Sequence, residues 1–529
     1  MTDARFSHYA AAAPHHLAAE SGRAVMQEGG NAIEAMLAMA ATIAVVYPHM
    51  NSLGGDGFWL IADPRRRVHY VEACGPAGAR ATIKRYREAG YDAIPSRGPE
   101  AALTVPGAVG GFLEAHELAQ RLGGRLPLPD LFGDAVRLAR EGCKVAPSLA
   151  RNQPSEFDAL KAAPGFASAF LEDGKLPQAG AVLKQPALAD MIEHMARAGL
   201  DDFYRGDVGR EIAADLDVIG SAVTREDLRA YRAVRRQPLS VDLKAARLFN
   251  APPPTQGLAA LMILALFERL AVKKPESFEH VHGLIEATKL AFAARNRIVT
   301  DFAHLREEPE DVLTKEHLDH AAASIDMKRA GPFGAAVPIG DTVWMGAIDA
   351  EGVAVSYIQS AYWEFGSGCV LPRTGLLMQN RGVSFSLDPE ALNPLQPGRR
   401  PFHTLNPPLA LFRDGRIMSY GAMGGDGQPQ FQAELFTRHV MFGQPLHAAI
   451  DAPRWLLGRT WGKTRIDLTL ENRFDDSLVR ALEKAGHPVL VLDAPYDEGL
   501  GHAGALMRYP DGSVEAAHDP RSDGGALGG

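Results

Sequence analysis

Thr342 stands where a loose Gly/Pro/Ala-rich run, Arg329 to Pro338, gives way to a β pattern over Val343 to Ile348. A polar turn, Asp349-Ala350-Glu351-Gly352, follows, and a second β pattern runs from Val353 to Ile358. A cut between Asp341 and Thr342 would give Thr342 a free α-amino group. One residue would then carry both a nucleophile and its base. A threonine hydroxyl is a poor nucleophile by itself. An α-amine, with a reference pKa of roughly 8, is partly unprotonated near neutral pH. It can take the hydroxyl proton directly or through water. Attack on an amide makes a tetrahedral oxyanion, which needs preorganised N–H donors. Threonine also suits the start of any strand, so the rest of the chain decides which role Thr342 has.

The chain has 529 residues, 46% hydrophobic and 22% charged, which is the composition of a globular protein with ample core. Its net charge of −9 is spread out, not clustered as Lys/Arg on a nucleic-acid surface. Cys74, Cys143 and Cys369 lie far apart and make no disulfide or metal framework. The N-terminus shows no basic region followed by an apolar one, so a secretory signal is not expected. The longest apolar run, Ala35 to Tyr47, is too short to span a bilayer. These features place the protein in the cytoplasm, away from membrane and nucleic acid.

Helical patterns fill much of the first part: His15 to Gly29, a buried helix from Ala32 to Val46, Phe112 to Leu122, Leu258 to Leu270, and His280 to Asp301. On the last of these, Leu284, Ala287, Leu290, Ala291 and Ala294 read as inward and Arg295 and Arg297 as outward. The glycine-rich loop Gly54-Gly55-Asp56-Gly57 precedes the strand Phe58 to Ala62. A dinucleotide-binding loop follows its strand and opens a helix, so that reading is discarded. His280 and His282, two apart on a helix, point in different directions and make a poor metal pair. No metal and no cofactor are expected. Beyond residue 342 strand patterns dominate, at 343–348, 353–358, 375–379, 408–412 and 416–421, with helices over Gln430 to Met441 and near His447 to Ala452. The texture changes near residue 340.

Many short stretches, in one order from about residue 10 onward, resemble the γ-glutamyltransferase family of N-terminal-nucleophile hydrolases. They are Gly-Gly-Asn-Ala at 29–32, Gly-Gly-x-Gly-Phe at 54–58, Val105-Pro106-Gly107, Pro252 to Gly257, and Glu286-Ala287-x-Lys289. Phe365-Gly366-Ser367-Gly368, Arg400-Pro401, Gly424-Gly425, Asp451-Ala452-Pro453-Arg454 and Asp519-Pro520-Arg521-Ser522 continue them. The resemblance implies an α+β fold, a four-layer αββα sandwich. It implies an inactive precursor that cuts itself between Asp341 and Thr342, by attack of the Thr342 hydroxyl on the Asp341 carbonyl. The expected products are a large subunit, 1–341, and a small subunit, 342–529, that stay together, with a homo-oligomer of such pairs as a further expectation. Thr342 matches the family's nucleophile, and Thr342 to Asp349 keeps its spacing. Gly424 and Gly425 match its oxyanion loop.

The resemblance weakens where the family holds a γ-glutamyl head. Its Arg-Glu pair reads Val71-Glu72 here; Ser360 falls near its Asn; Ser384 falls at about its Asp; its Ser-Ser pair reads His403-Thr404. Arg381 brings a cation nearby. The expected substrate is therefore a small amide that carries a carboxylate and no α-ammonium. This resembles the amidohydrolase branches of the superfamily, which include oxamate amidohydrolases and cephalosporin-acylase-like enzymes. Asn380, Arg381, His403 and Thr404 are the expected substrate-binding residues, with Arg399 or Arg400 as competitors for the arginine's role. The alternatives are γ-glutamyl transfer or glutathione hydrolysis, a cephalosporin-acylase-like amidase, and an uncleaved relative with a binding or structural role.

Overall fold

The computed structural model describes residues 4–529 apart from 152, 153, 155, 334–340 and 459–466, and of Asp341 it describes the backbone alone. Gly340 and residues 334–339 before it thus lie outside the described residues.

Two seven-stranded sheets form the centre. One runs Ala4–Phe6, Val514–His518, Ala503–Arg508, Ile417–Ala422, Leu409–Phe412, Ala246–Asn250, Leu239–Asp242. The other runs Gly525–Gly528, Ala10–Ala13, Asp341–Ile348, Ala354–Tyr362, Asp56–Ala62, Val68–Ala73, Val234–Arg236. Every pairing within these two sheets is antiparallel. Strand alternation splits their side chains between separate cores. On Asp341–Ile348, Val343, Met345 and Ala347 pack under the helices His16–Gln27, Ala32–Val46, Ala108–Arg121, Leu128–Glu141 and Pro186–Ala198. Trp344 and Ile348, on the opposite face, pack between the sheets with Phe58, Leu60, Ile358, Leu409 and Leu506. The outer face of the sheet that holds Leu409–Phe412 and Ile417–Ala422 is covered by Gly257–Leu270, Phe278–Ile298, Gln428–Phe436 and Asp476–Ala485. The result is the four-layer αββα sandwich. Half of the strands in the two sheets come from before residue 341, so the change of texture there is not a domain boundary.

Local chemistry explains the ends of the elements. Asn31 Oδ1 accepts the N–H groups of Ile33 and Glu34 while Glu34 Oε2 accepts that of Asn31, a reciprocal cap on Ala32–Val46. Asp349 Oδ2 accepts the Ala32 N–H at 2.9 Å, and its Oδ1 accepts the Val353 N–H at 2.8 Å. The residue seven after Thr342 thus closes the hairpin and docks it on the buried helix.

Two expectations fail. Residues 375–379 form no strand. Leu376, Leu377 and Met378 are buried as an irregular segment held by single bridges to Val370 and Gly54. Arg295, expected outside, is buried. It lies over the Phe292 ring, its guanidinium carbon 3.9 Å from the centroid, and pairs with Asp426 at 2.7 Å. The chain's own Asp426 carboxylate and Phe292 ring have replaced solvent there.

His282 and Glu286, one turn apart, meet His487, and their ligand-type atoms lie within 4.8 Å of one another. These are the donor types of a zinc site. Each is already engaged. His282 Nε2 donates to the Asp326 carbonyl, its Nδ1 lies 2.8 Å from His487 Nε2, and Glu286 takes the Lys289 ammonium at 2.7 Å and the Gly331 N–H at 3.0 Å. Lys289 supplies the positive charge that a metal would bring. Burial, with Lys289 and His282 nearby, lowers the His487 pKa to about 3. The set clamps residues 326–331, the start of the stretch that leads to Thr342.

Candidate active site

Thr342 is buried, and the register places it opposite Ser360 and Ala361, where the neighbouring strand carries one extra residue. Gln428 Nε2 reaches its Oγ1 at 3.4 Å. Gln428 Oε1 in turn accepts from Asn406 Nδ2 at 3.1 Å, and Asn406 Nδ2 also donates to the Thr404 carbonyl at 2.9 Å. A chain of side-chain amides therefore spans the gap between the two sheets and ends on the Thr342 hydroxyl.

Gly424 and Gly425 lie at the turn after Ile417–Ala422 and open a short helix that runs into Gln428–Phe436. The Gly424 carbonyl accepts the Gly427 N–H at 2.7 Å, which fixes the peptide that carries the Gly425 N–H. No backbone carbonyl among the described residues takes the Gly424 or Gly425 N–H. Both donors are available to an oxyanion. The large sequence segment before residue 341 holds this loop from behind: Gln256 Nε2 donates to the Gly425 and Thr404 carbonyls, each at 2.8 Å, and Arg295 donates to Gln256 Oε1 and Asp426 Oδ1, each at 2.7 Å. Gly424 has φ +121°, and a Cβ there would lie 2.7 Å from the Phe431 ring. Gly424→Ala is therefore expected to shift the loop and reduce kcat about 100-fold or more, with less effect on KM. Steady-state kinetics check this; an unchanged kcat removes the loop from the chemistry.

Beside this lies a cluster of buried polar atoms with no hydrogen-bond partner among the described residues: Arg381 Nη1 and Nη2, both His403 ring nitrogens, Thr404 Oγ1 and Asp56 Oδ2. Buried polar groups are nearly always satisfied, so such a concentration marks a place that a ligand or water fills. The Arg381 guanidinium carbon lies 3.7 Å from the Tyr362 ring centroid, a cation–π contact. Tyr362 holds φ +86°, rarely adopted by an L-residue, and its N–H is taken by Ser360 Oγ at 2.8 Å. Burial pulls the Arg381 pKa down to about 10, with Tyr362 and Asp56 opposing it. Burial pushes the Asp56 carboxyl up to about 7, against the pull of Arg381 and of hydrogen bonds from Gly75, Gln379 and Gly107. Burial, then Arg381 and Arg400, hold His403 neutral, its pKa well below the usual histidine value.

The structure separates the three candidate arginines. Arg399 Nη2 is spent on Thr300 Oγ1 and the Leu392 carbonyl, and Arg400 Nε lies 3.1 Å from Glu72. Arg381 keeps its terminal nitrogens free. Asn380 has both ends of its amide engaged, with the Trp363 N–H and the Ser96 carbonyl, and shapes the loop that carries Arg381. Ser384 stands at about the place of the family's Asp, but a carboxylate lies near Arg381 all the same: Asp56, from the Gly54–Gly57 loop. Gly107 of Val105-Pro106-Gly107 packs on it, since a Cβ there would fall 2.6 Å from Asp56 Oδ1. Gln428, Asn406, Gln256 and Asp56, which the structure brings to this site, were not among the residues expected there. Gln256 and Asp56 sat inside motifs already singled out; nothing local marked Asn406 or Gln428.

A family model described as Gamma-glutamyltranspeptidase matches residues 18–529. The chain is 50% identical over 523 residues to the oxamate amidohydrolase proenzyme of Klebsiella pneumoniae, covering 99% of this chain and 98% of that one. It is 38% identical to a glutathione hydrolase-like proenzyme of Bacillus subtilis, covering 97% of each. Among solved structures, the cephalosporin acylase from Bacillus halodurans superposes with a TM-score of 0.91 at 31% identity, covering 100% of this chain and 97% of that one. With the αββα sandwich and motifs matched along its length, the chain belongs to the γ-glutamyltranspeptidase family of N-terminal-nucleophile hydrolases, and is an enzyme of that family.

Proposed function

We propose that the chain cuts itself between Asp341 and Thr342, and that the new amino terminus hydrolyses the amide of a small carboxylate-bearing substrate, oxamate being the favoured one. Residues 1–341 and 342–529 then remain in one sandwich. The observation that carries this reading is Arg381: a buried guanidinium with both terminal nitrogens free, in the cluster of unpartnered atoms that includes Thr404. A guanidinium fork matches a carboxylate. The likeness to the oxamate amidohydrolase proenzyme supports it.

The reaction follows from the groups in place. The Thr342 α-amine takes the hydroxyl proton as Oγ1 attacks the amide carbon. The N–H groups of Gly424 and Gly425 hold the oxyanion. The C–N bond breaks, the proton passes to the leaving nitrogen, and ammonia departs. Water then hydrolyses the Thr342 ester, and oxalate leaves.

A second reading has support of its own. Asp56 beside Arg381 offers a carboxylate and a guanidinium together, which suits the ammonium and carboxylate of a γ-glutamyl head. A panel of oxamate, glutathione and an acylated β-lactam, with release of ammonia or amine measured, separates the readings. Oxamate is expected to exceed the other two at least 100-fold in kcat/KM. A preference for glutathione would reverse the assignment. A chain that stays as one band on a denaturing gel and acts on none of them would support a binding role instead.

A further inference from the structure

Asp56 has no part in the reaction as written, yet it lies in the cluster of unpartnered atoms. We infer that Asp56 is a specificity residue: its Oδ2 accepts an N–H of the amide whose carboxylate lies on Arg381, and it repels the dicarboxylate product. This deepens the small carboxylate-amide reading and rests on it.

The two oxygens of Asp56 differ. Oδ1 accepts from the Gly75 N–H and from Gln379 Nε2, each at 3.1 Å, which fixes the carboxylate plane. Oδ2 has no partner. His403 Nε2 comes to 3.5 Å of it, too far for a good hydrogen bond. No ion pair within 4.0 Å joins Asp56 to Arg381 among the described residues, although Arg381 exerts the largest charge effect on Asp56. Opposite charges held apart in a buried place leave room for a ligand between them. What lies on Arg381 must accept hydrogen bonds; what lies on Asp56 Oδ2, in the ionised form that Arg381 favours, must donate them. A carboxylate joined to a primary carboxamide has both, and one negative charge for one guanidinium. Hydrolysis replaces the amide by a second carboxylate. That group donates nothing and sets its charge against Asp56. A site built around a donor rejects the analogue that lacks it. The same residue thus favours entry of the amide and exit of the diacid.

The test is Asp56→Asn, with Asp56→Ser as a second variant, assayed on processed enzyme for ammonia release from oxamate and for binding of oxamate and oxalate by calorimetry. Two bands on a denaturing gel confirm folding. Both variants are expected to lose 10- to 100-fold in oxamate kcat/KM and to bind oxalate at least 10-fold more tightly than the wild type. These opposite signs are what a merely structural role would not give. Parallel weakening of both ligands, with oxamate turned over by the wild type, overturns the role of Asp56 and leaves the substrate reading standing. Opposite shifts without oxamate turnover overturn that substrate and support the recognition. No binding of either ligand to the wild type overturns both.

Discussion

Thr342→Ala leaves a single full-length band on a denaturing gel and no amide hydrolysis above background. The substitution removes one oxygen that serves twice, first on the Asp341 carbonyl and then on substrate. The expected loss in kcat is 10⁴-fold or more, as for a nucleophile removed from an enzyme that depends on it. Folding is not expected to suffer. Thr342 Oγ1 has a long contact to Gln428 at 3.4 Å, and such a bond contributes about 1 kcal/mol or less. Thr342→Ser is expected to cut itself and keep partial activity. A two-band pattern in Thr342→Ala would falsify the cleavage assignment.

The second large effect is at Arg381. Arg381→Ala is expected to reduce kcat/KM on oxamate about 1,000-fold, the cost of losing a charge-assisted pair with a carboxylate in a buried site. Its effect on stability has the opposite sign. The guanidinium is buried, has no carboxylate partner within ion-pair distance among the described residues, and rests on the Tyr362 ring. An uncompensated buried charge costs free energy, so the variant is expected to melt at the same temperature as the wild type or higher. Arg381→Lys is not expected to rescue, because a lysine lacks the planar fork and stacks poorly on the ring. Kinetics and thermal melting on the same preparations decide the matter. A fall in melting temperature that tracks the fall in activity would make Arg381 a structural residue.

What the sequence conveyed follows from where its signals are local. The helix Ala32–Val46 begins and ends where read, because Asn31 caps it and Pro48 stops its continuation. The hairpin around Asp349 was plain, since a turn of Asp-Ala-Glu-Gly between apolar strands has few alternatives. Arg295 was misplaced because a charge on a helix reads as solvent-facing unless its partner is known, and Asp426 lies far along the chain. The 375–379 run has strand composition, but Gly375 at φ +65° and burial against Leu188 bend it out of a ladder. Asp56 read as one letter of a glycine loop. Its place beside Arg381 depends on two strands and two loops brought together by the fold, and no window of sequence holds that information.

The ordering of strands in the two sheets bears on how this molecule can be made and lost. Ala10–Ala13 lies between Gly525–Gly528 and Asp341–Ile348, and Leu409–Phe412 lies between Ile417–Ala422 and Ala246–Asn250. After a cut before Thr342, each fragment threads through the ladders of the other. Dilution then has no route to separate them short of melting both sheets, so the pair has a lifetime set by unfolding rather than a dissociation constant. The order of events is fixed as well: the chain must fold as one piece before it is cut. Fragments synthesised apart would have to complete one another's sheets from solution.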